Sequence, residues 1–89
     1  MTPAGVGLAL APNPLSTRAL VTFSTSRDGA VHLRVYDAAG RLVRVLVEGA
    51  RAAGPHAVQW DARGLAVVVY MYRLETPDGA ASGKVVVLR

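Results

Sequence analysis

The residues that could hold a metal ion or transfer a proton are few and scattered in this chain of 89 residues. His32 and His56 are the only histidines, and each stands alone. His32 lies on the outward side of an alternating run, and His56 has the parity of Val58 and Trp60. We interpret the first as a surface residue and the second as a partly covered one. With no cysteine in the chain, the sequence predicts no disulfide and no cysteine-based zinc site. Because the histidines also stand alone, no metal site is predicted, and no cofactor is expected.

The acidic residues and serines also lack the settings that catalysis requires. Four aspartates, Asp28, Asp37, Asp61 and Asp78, lie beside or within turns that contain glycine, where their carboxylates hydrogen-bond the turn backbone. No pair of carboxylates can be assigned as an acid and a base, and no serine stands in a nucleophile elbow. Lys84 has no identifiable partner for an internal isopeptide bond. We therefore predict that the chain is not an enzyme.

Aromatic side chains offer the remaining binding chemistry. Trp60, Tyr70 and Tyr72 could form a sugar-binding platform on a sheet, or Trp60 could fill the space between two sheets with the tyrosines beside it. The core interpretation is favoured, and a small carbohydrate-binding module stays as a lesser alternative. Tyr36 has outward parity and is predicted to be exposed.

The charge pattern argues against two classes of partner. The net charge is +4, but the ten cations are spread singly along the chain. A nucleic-acid-binding domain would cluster them on one element with aromatic residues between, so no nucleic-acid partner is predicted. No apolar run approaches the ~20 residues that span a bilayer, and no signal peptide is recognisable at the start. The chain is predicted not to span a membrane.

Alternating apolar and polar residues define the elements that must position these side chains. In residues 18–24 the core face is Ala19, Val21 and Phe23, and in the run that begins at Val31 it is Val31, Leu33 and Val35. Turn residues recur every 8–12 residues or so, giving about seven short strands and no convincing helix. The predicted fold is all-β, an Ig-like or fibronectin III-like antiparallel β-sandwich. It forms one domain over residues 8–89, preceded by a flexible linker over residues 1–7.

Three segments have particular expectations. Residues 8–14 predict a short edge strand that stops at prolines. The strand after the turn at residues 37–40 has mixed parity, which predicts a bulge or burial on both faces, and a loop is expected over residues 48–55. The longest strand is predicted at Val67–Thr76, with Tyr70, Tyr72 and Leu74 on one face.

An ordered series of segments carries a family resemblance along nearly the whole chain. In order, they are Ala11-Pro-Asn-Pro14, the hairpin Val31–Val47, Ala53–Asp61, Val69–Leu74 and Lys84–Arg89. The series resembles the C-terminal sorting domain of the type IX secretion system and the similar Ig-like domain of flagellar hook-capping proteins.

The sorting-domain resemblance implies a non-catalytic sorting and anchoring module of a secreted bacterial protein. Its partners would be an outer-membrane secretion machinery and an N-terminal cargo domain. Its location would be secreted or at the cell surface, after passage through the periplasm. The recognition residues that it implies lie in the closing strands: Tyr70, Tyr72, Gly83, Lys84, Val86, Leu88 and Arg89.

One departure from that pattern and one alternative function stay open. Where the family has a small residue and a glycine, this chain has Val67-Val68, which predicts a more regular and more aggregation-prone strand start. The alternative function is a structural Ig-like spacer or assembly domain of the hook-capping type. Such a domain works through protein–protein contacts, and an open edge strand could also pair with a second copy.

Overall fold

The computed structural model describes residues 7–88, and these residues contain seven strands and no helix. The predicted linker at residues 1–7 lies outside this range except for Gly7, which begins the first strand. The strands are β1 (Gly7–Ala11), β2 (Arg18–Thr25), β3 (Gly29–Tyr36), β4 (Leu42–Arg51), β5 (Gly54–Asp61), β6 (Val69–Thr76) and β7 (Gly79–Val86).

The strands form two antiparallel sheets. One sheet has the order β1-β2-β5, and the other has the order β4-β3-β6-β7. Hairpin turns join β3 to β4 and β6 to β7, whereas β2 to β3 and β4 to β5 change sheet. This arrangement is an Ig-like β-sandwich, and the predicted fold class is confirmed.

The core lies between the sheets and is filled by alternate residues of each strand. Ala19, Val21 and Phe23 are buried, as predicted, and so are Val31, Leu33 and Val35. Trp60 is fully buried, and its ring meets the edge of the Tyr70 ring at a centroid distance of 6.3 Å. Each large side chain buried here contributes about 1.5–3 kcal/mol to stability. The prediction that Trp60 is a core residue is confirmed.

Strand β4 is bulged, as its mixed parity predicted. Its register against β3 shifts twice, once between Leu33 and Arg34 and once between Val35 and Tyr36. Because each extra residue in β4 reverses the side on which the following residues point, Val47 faces the core while Val45 lies directly opposite Arg34 on the outside.

Two predicted boundaries are wrong. The loop expected over residues 48–55 is largely strand, because β3 starts at Gly29 and its first residues pair with β4 as far as Arg51. Strand β6 starts at Val69, not at Val67, so β4, with ten residues, is the longest of the described strands. Residues 67 and 68 form a bend before β6, which means that the two valines do not make a regular strand start.

The proline-rich segment after β1 crosses from one sheet to the other. Leu15 is buried and forms a parallel bridge with Val87 beyond the end of β7. Its N–H donates to the Val86 carbonyl at 2.9 Å, and its carbonyl accepts from Leu88 N–H at 2.8 Å. The segment therefore ties the start of the domain to its closing strand.

Candidate functional site

The outer face of the four-stranded sheet combines apolar and charged side chains in ordered rows. One row crosses all four strands as Leu42, Tyr36, Met71 and Lys84. The next row is Val45, Arg34, Arg73 and Ser82, and the third is Glu48, His32, Glu75 and Ala80. Because strand residues alternate between faces, the buried residues between these positions place every row on the outside.

An apolar patch occupies one end of this face. Leu42 is 51% exposed, Val45 47%, and Met71 and Val69 42% each. The half-buried residues Tyr36 and Val86 lie beside them, at Met71 and Val69 respectively. We call this set the outer apolar patch: Tyr36, Leu42, Val45, Val69, Met71 and Val86. Several large apolar side chains gathered on one face in this way make it a candidate contact surface, whereas isolated exposed ones do not.

A network of charges covers the other end of the same face. Arg34 lies directly opposite Arg73, an arrangement of like charges that is unfavourable by itself. Two glutamates compensate, since Arg34 donates to Glu48 Oε1 at 2.9 Å and lies 3.7 Å from Glu75 Oε1. Arg73 lies 3.9 Å from Glu75 Oε2, and the ring of His32 contacts Glu48.

This network shifts two of its ionisation equilibria. Hydrogen bonds from His32 and then from Arg34 hold the pKa of Glu48 below its ordinary value. The hydrogen bond to Glu48 in turn raises the pKa of Arg34. The charges at this end are therefore satisfied by one another, which leaves them little demand for an external partner.

Lys84 stands at the border of the outer apolar patch without such compensation. It is exposed, lies opposite Met71, and makes no ion pair within residues 7–88. An apolar surface with a free cation at its rim can bind a protein surface that presents an apolar side chain next to a carboxylate.

The outer face of the three-stranded sheet has a different character. Three of its rows are Gly7, Ser24 and Pro55; Ala9, Thr22 and Ala57; and Ala11, Leu20 and Gln59. These nine residues are uncharged, and Leu20 is the only large apolar one among them. A fourth row, at the end of the face, pairs Arg18 with Asp61, and the Asp61 carboxylate accepts a hydrogen bond from Arg63. The face has a shallow depression but few groups that could hold a partner.

The structure separates the predicted recognition residues into two groups. Lys84 and Leu88 are exposed, and Val86 is half-buried beside Val69 on the outer face. Tyr70 is only 3% exposed and donates to the Ala66 carbonyl, so its side chain is a core group and not a contact surface.

Tyr72 and Gly83 form a cross-strand pair on the inner face of the sheet. A Cβ added to Gly83 would lie 2.5 Å from Tyr72 Cζ, which shows that the tyrosine ring covers the glycine. Partial burial raises the pKa of Tyr72. Arg89 lies outside the described residues.

The residues screened for chemistry occupy the places expected of structural groups. His32 is on the outer face, and His56 stacks on Phe23 with a centroid distance of 5.1 Å. Asp28, Asp37, Asp61 and Asp78 accept hydrogen bonds from backbone N–H groups in or near turns, as predicted. Tyr36 is half-buried, not freely exposed.

No three metal-ligating side chains of residues 7–88 come together as a metal site. The same residues contain no helix that is long and apolar enough to cross a membrane.

Sequence reasoning missed the outer apolar patch and the charge network beside it. The parity of His32, Arg34 and Tyr36 already placed them on one face. Their partners on β4 depend on two bulges, and only the pairing of β3 with β6 brings Arg73, Glu75 and Met71 alongside.

Two antiparallel sheets joined in this order define the chain as an Ig-like domain. A model of the FlgD Ig-like domain matches residues 16–68, which run from the segment before β2 to the bend before β6. The chain therefore belongs to the family of FlgD Ig-like domains. No curated protein matches it.

Proposed function

We propose that this chain is a non-catalytic structural Ig-like domain that holds a larger protein assembly together, as in the hook-capping type. The outer apolar patch would be its contact surface. The observation that carries the proposal is the row of Leu42, Tyr36 and Met71 across three neighbouring strands, in a chain that belongs to the FlgD Ig-like family.

The chemistry of the patch suits a protein partner. Burying apolar surface there contributes roughly 25 cal/mol per Å², so a few half-exposed side chains supply the centre of an interface. Lys84 at the rim would select a partner with a nearby carboxylate and would disfavour a cationic one.

The test compares two glutamate substitutions in the full-length protein that carries this domain. Met71→Glu places a charge in the patch, and Thr22→Glu places the same charge on the outer face of the three-stranded sheet. We expect Met71→Glu to reduce incorporation into the assembly at least tenfold, as measured by co-sedimentation, and Thr22→Glu to change it less than twofold. Equal losses from both substitutions, with both domains folded, would reject the patch as the contact surface.

A second proposal is the sorting role that the sequence resemblance implies. It is supported by the ordered motif series and by the exposure of Lys84 and Leu88 near the end of the described chain. Under this proposal, an outer-membrane secretion machinery would recognise the domain, which would then be secreted or held at the cell surface. The family match supports the assembly role better.

A reporter fused in front of residues 1–89 in a host with type IX secretion tests the sorting role. We expect the reporter outside the cell if the domain is a sorting signal. A reporter retained in the periplasm rejects that role for this chain and leaves the assembly proposal unaffected.

A further inference from the structure

The free edge of β7 is divided into a covered half and an open half. In the covered half, the Asn13 side chain donates to the Lys84 carbonyl at 3.1 Å and accepts from Val86 N–H at 3.2 Å. Leu15 continues this pairing with Val86 and Leu88. The segment at residues 13–15 thus replaces a neighbouring strand, but only beside the end of β7.

The open half presents unused backbone groups. In a strand, the N–H and C=O groups of one residue point to one edge, and those of the next residue point to the opposite edge. The backbone groups of Lys84 and Val86 point away from β6, so those of Ala80 and Ser82 do as well. No hydrogen bond from these outward groups to the rest of residues 7–88 is present. Residues 79–83 pair with β6 without a bulge and include no charged residue and no proline. Bulges, charges and prolines are the usual protections of an edge strand, so this half of β7 lacks them.

The edge of β4 in the same sheet is protected. It carries the two register shifts, and its own arginines donate to strand carbonyls, Arg44 to Val43 and Arg51 to Ala50. The contrast makes β7 the edge of this sheet that is open to another strand.

Beside the open edge, β7 contributes only small side chains to the interior. Ala81 and Gly83 are the inward residues of β7 here, and the half-buried ring of Tyr72 lies over Gly83. Leu8 and Leu10 of β1, the neighbouring edge strand of the facing sheet, are also only partly buried. Inward side chains on an added strand would therefore contact apolar groups that the domain itself leaves incompletely covered.

We propose that this edge accepts an extended segment of a partner protein as an eighth strand, with large apolar side chains on its inward face and carboxylates on its outward face. The backbone groups of Ala80 and Ser82 and the N–H of Lys84 would supply the hydrogen bonds. The carboxylates would lie near Lys84 on the outer face. A second copy of the open half of β7 fits less well, because the inward residues of residues 79–83 are only alanine and glycine. This site is distinct from the outer apolar patch and does not depend on the assembly proposal.

The experiment titrates the 89-residue chain, labelled with nitrogen-15, with a seven-residue peptide that alternates glutamate and leucine. We expect NMR shifts and slowed amide exchange at Ala80, Ser82 and Lys84, with no comparable change at Leu42. Shifts confined to the outer apolar patch would overturn the proposal.

Two substitutions at one position give the matched control. Ser82→Pro removes only the outward N–H and leaves the bonds to β6 intact, so we expect peptide affinity to fall about tenfold or more. Ser82→Ala keeps the N–H and should stay within twofold. Circular dichroism confirms that both variants are folded. Equal affinities for the two folded variants would show that strand addition does not occur.

Charge reversal tests the predicted partner chemistry. Lys84→Glu should weaken the glutamate peptide about fivefold and strengthen a lysine–leucine peptide by a similar factor. No change with either peptide would reject the acidic partner. Concentration-dependent protection of Ala80 and Ser82 without peptide would identify a second copy as the occupant and would also overturn the proposal.

Discussion

The two outer faces of this sandwich cover the same core but have opposite surface chemistry. The face of the four-stranded sheet carries Leu42, Met71, a network of five charged or titratable residues and Lys84, which forms no ion pair among residues 7–88. The face of the three-stranded sheet carries mostly small uncharged residues, with one charged pair, Arg18 and Asp61, at its end. Because both faces belong to antiparallel sheets of the same sandwich, the difference is not required by the fold. This difference supports the proposal that the face of the four-stranded sheet is the contact surface.

The largest expected effect comes from removing the side chain beneath both faces. Trp60→Ala should lower the free energy of unfolding by about 3–5 kcal/mol, because Trp60 is fully buried between the sheets. Denaturant unfolding followed by circular dichroism measures the change. Unfolding of both sheets in a single transition would confirm that they share one core.

The exposed residue Leu20 provides the control for that substitution. Leu20→Ala on the three-stranded face should change stability by less than about 0.5 kcal/mol. Trp60→Phe should cost less than Trp60→Ala, since it keeps an aromatic ring and removes an indole N–H that has no hydrogen-bond partner within residues 7–88. A Trp60→Ala variant as stable as the parent would contradict the sandwich core.

A pair of glycine substitutions separates small residues that packing requires from small residues that merely occupy a face. Gly83→Ala should cost about 1–3 kcal/mol, because the new methyl group would overlap the Tyr72 ring. Gly7→Ala should be nearly neutral, since its Cβ would meet only Ser24 Oγ at 3.5 Å. Thermal unfolding of the two variants makes the comparison, and similar costs at both sites would show that the Tyr72 ring does not restrict position 83.

A third prediction concerns the apolar character of the four-stranded face. Met71→Thr should reduce the binding of a hydrophobic fluorescent dye severalfold while changing stability by less than about 0.5 kcal/mol, because Met71 is exposed. Leu20→Thr on the other face should have a weaker effect on dye binding, since Leu20 has no large apolar neighbours in its rows. Equal effects would mean that the outer apolar patch is not a distinct surface.

The smallest expected effect is a pH dependence confined to the charge network. The pKa of folded Glu48 lies below its ordinary value of 4.5, so ionised Glu48 stabilises the fold above that pH. This stabilisation is lost as the pH falls through the lowered pKa. Unfolding measured downward from pH 5 should show a shallower decline for Glu48→Gln than for the parent.

Asp61 provides a control at the edge of the other sheet. Hydrogen bonds from Arg63 lower its pKa from 3.8 to about 2. The contribution of ionised Asp61 to stability should therefore persist to a lower pH than that of Glu48, and it should be lost as the pH falls from 3.8 to about 2. If Glu48→Gln left the pH profile unchanged, the network would have no role in stability.

Local patterns in the sequence were sufficient for much of the fold. Alternation in β2 and β3 identified the buried faces correctly, because a strand with one face in water repeats every two residues. Turn residues placed the hairpin at Pro77-Asp78, where Thr76 pairs with Gly79. The length of β4 was not predictable in the same way, since Glu48, Gly49 and Arg51 are poor strand signals that pairing with β3 overrides.

The candidate sites were less predictable than the fold. The sequence indicated that Lys84 and Leu88 belong to a closing strand. The favoured core interpretation also placed Tyr70 beside Trp60, which is confirmed, whereas the family resemblance had implied Tyr70 as a recognition residue. Neither the outer apolar patch nor the open edge of β7 could be inferred, because each depends on which strands are neighbours.

By itself, the sequence determined that this protein is an all-β sandwich with a core around Val21, Leu33 and Trp60. Only the tertiary structure decided that Leu42, Tyr36 and Met71 share a surface and that Asn13 covers one half of the β7 edge while leaving the other half open. The physical reason is one of range. Alternation is set by the geometry of adjacent residues, whereas a surface or an edge is set by the hydrogen-bonded pairing of segments far apart in the chain.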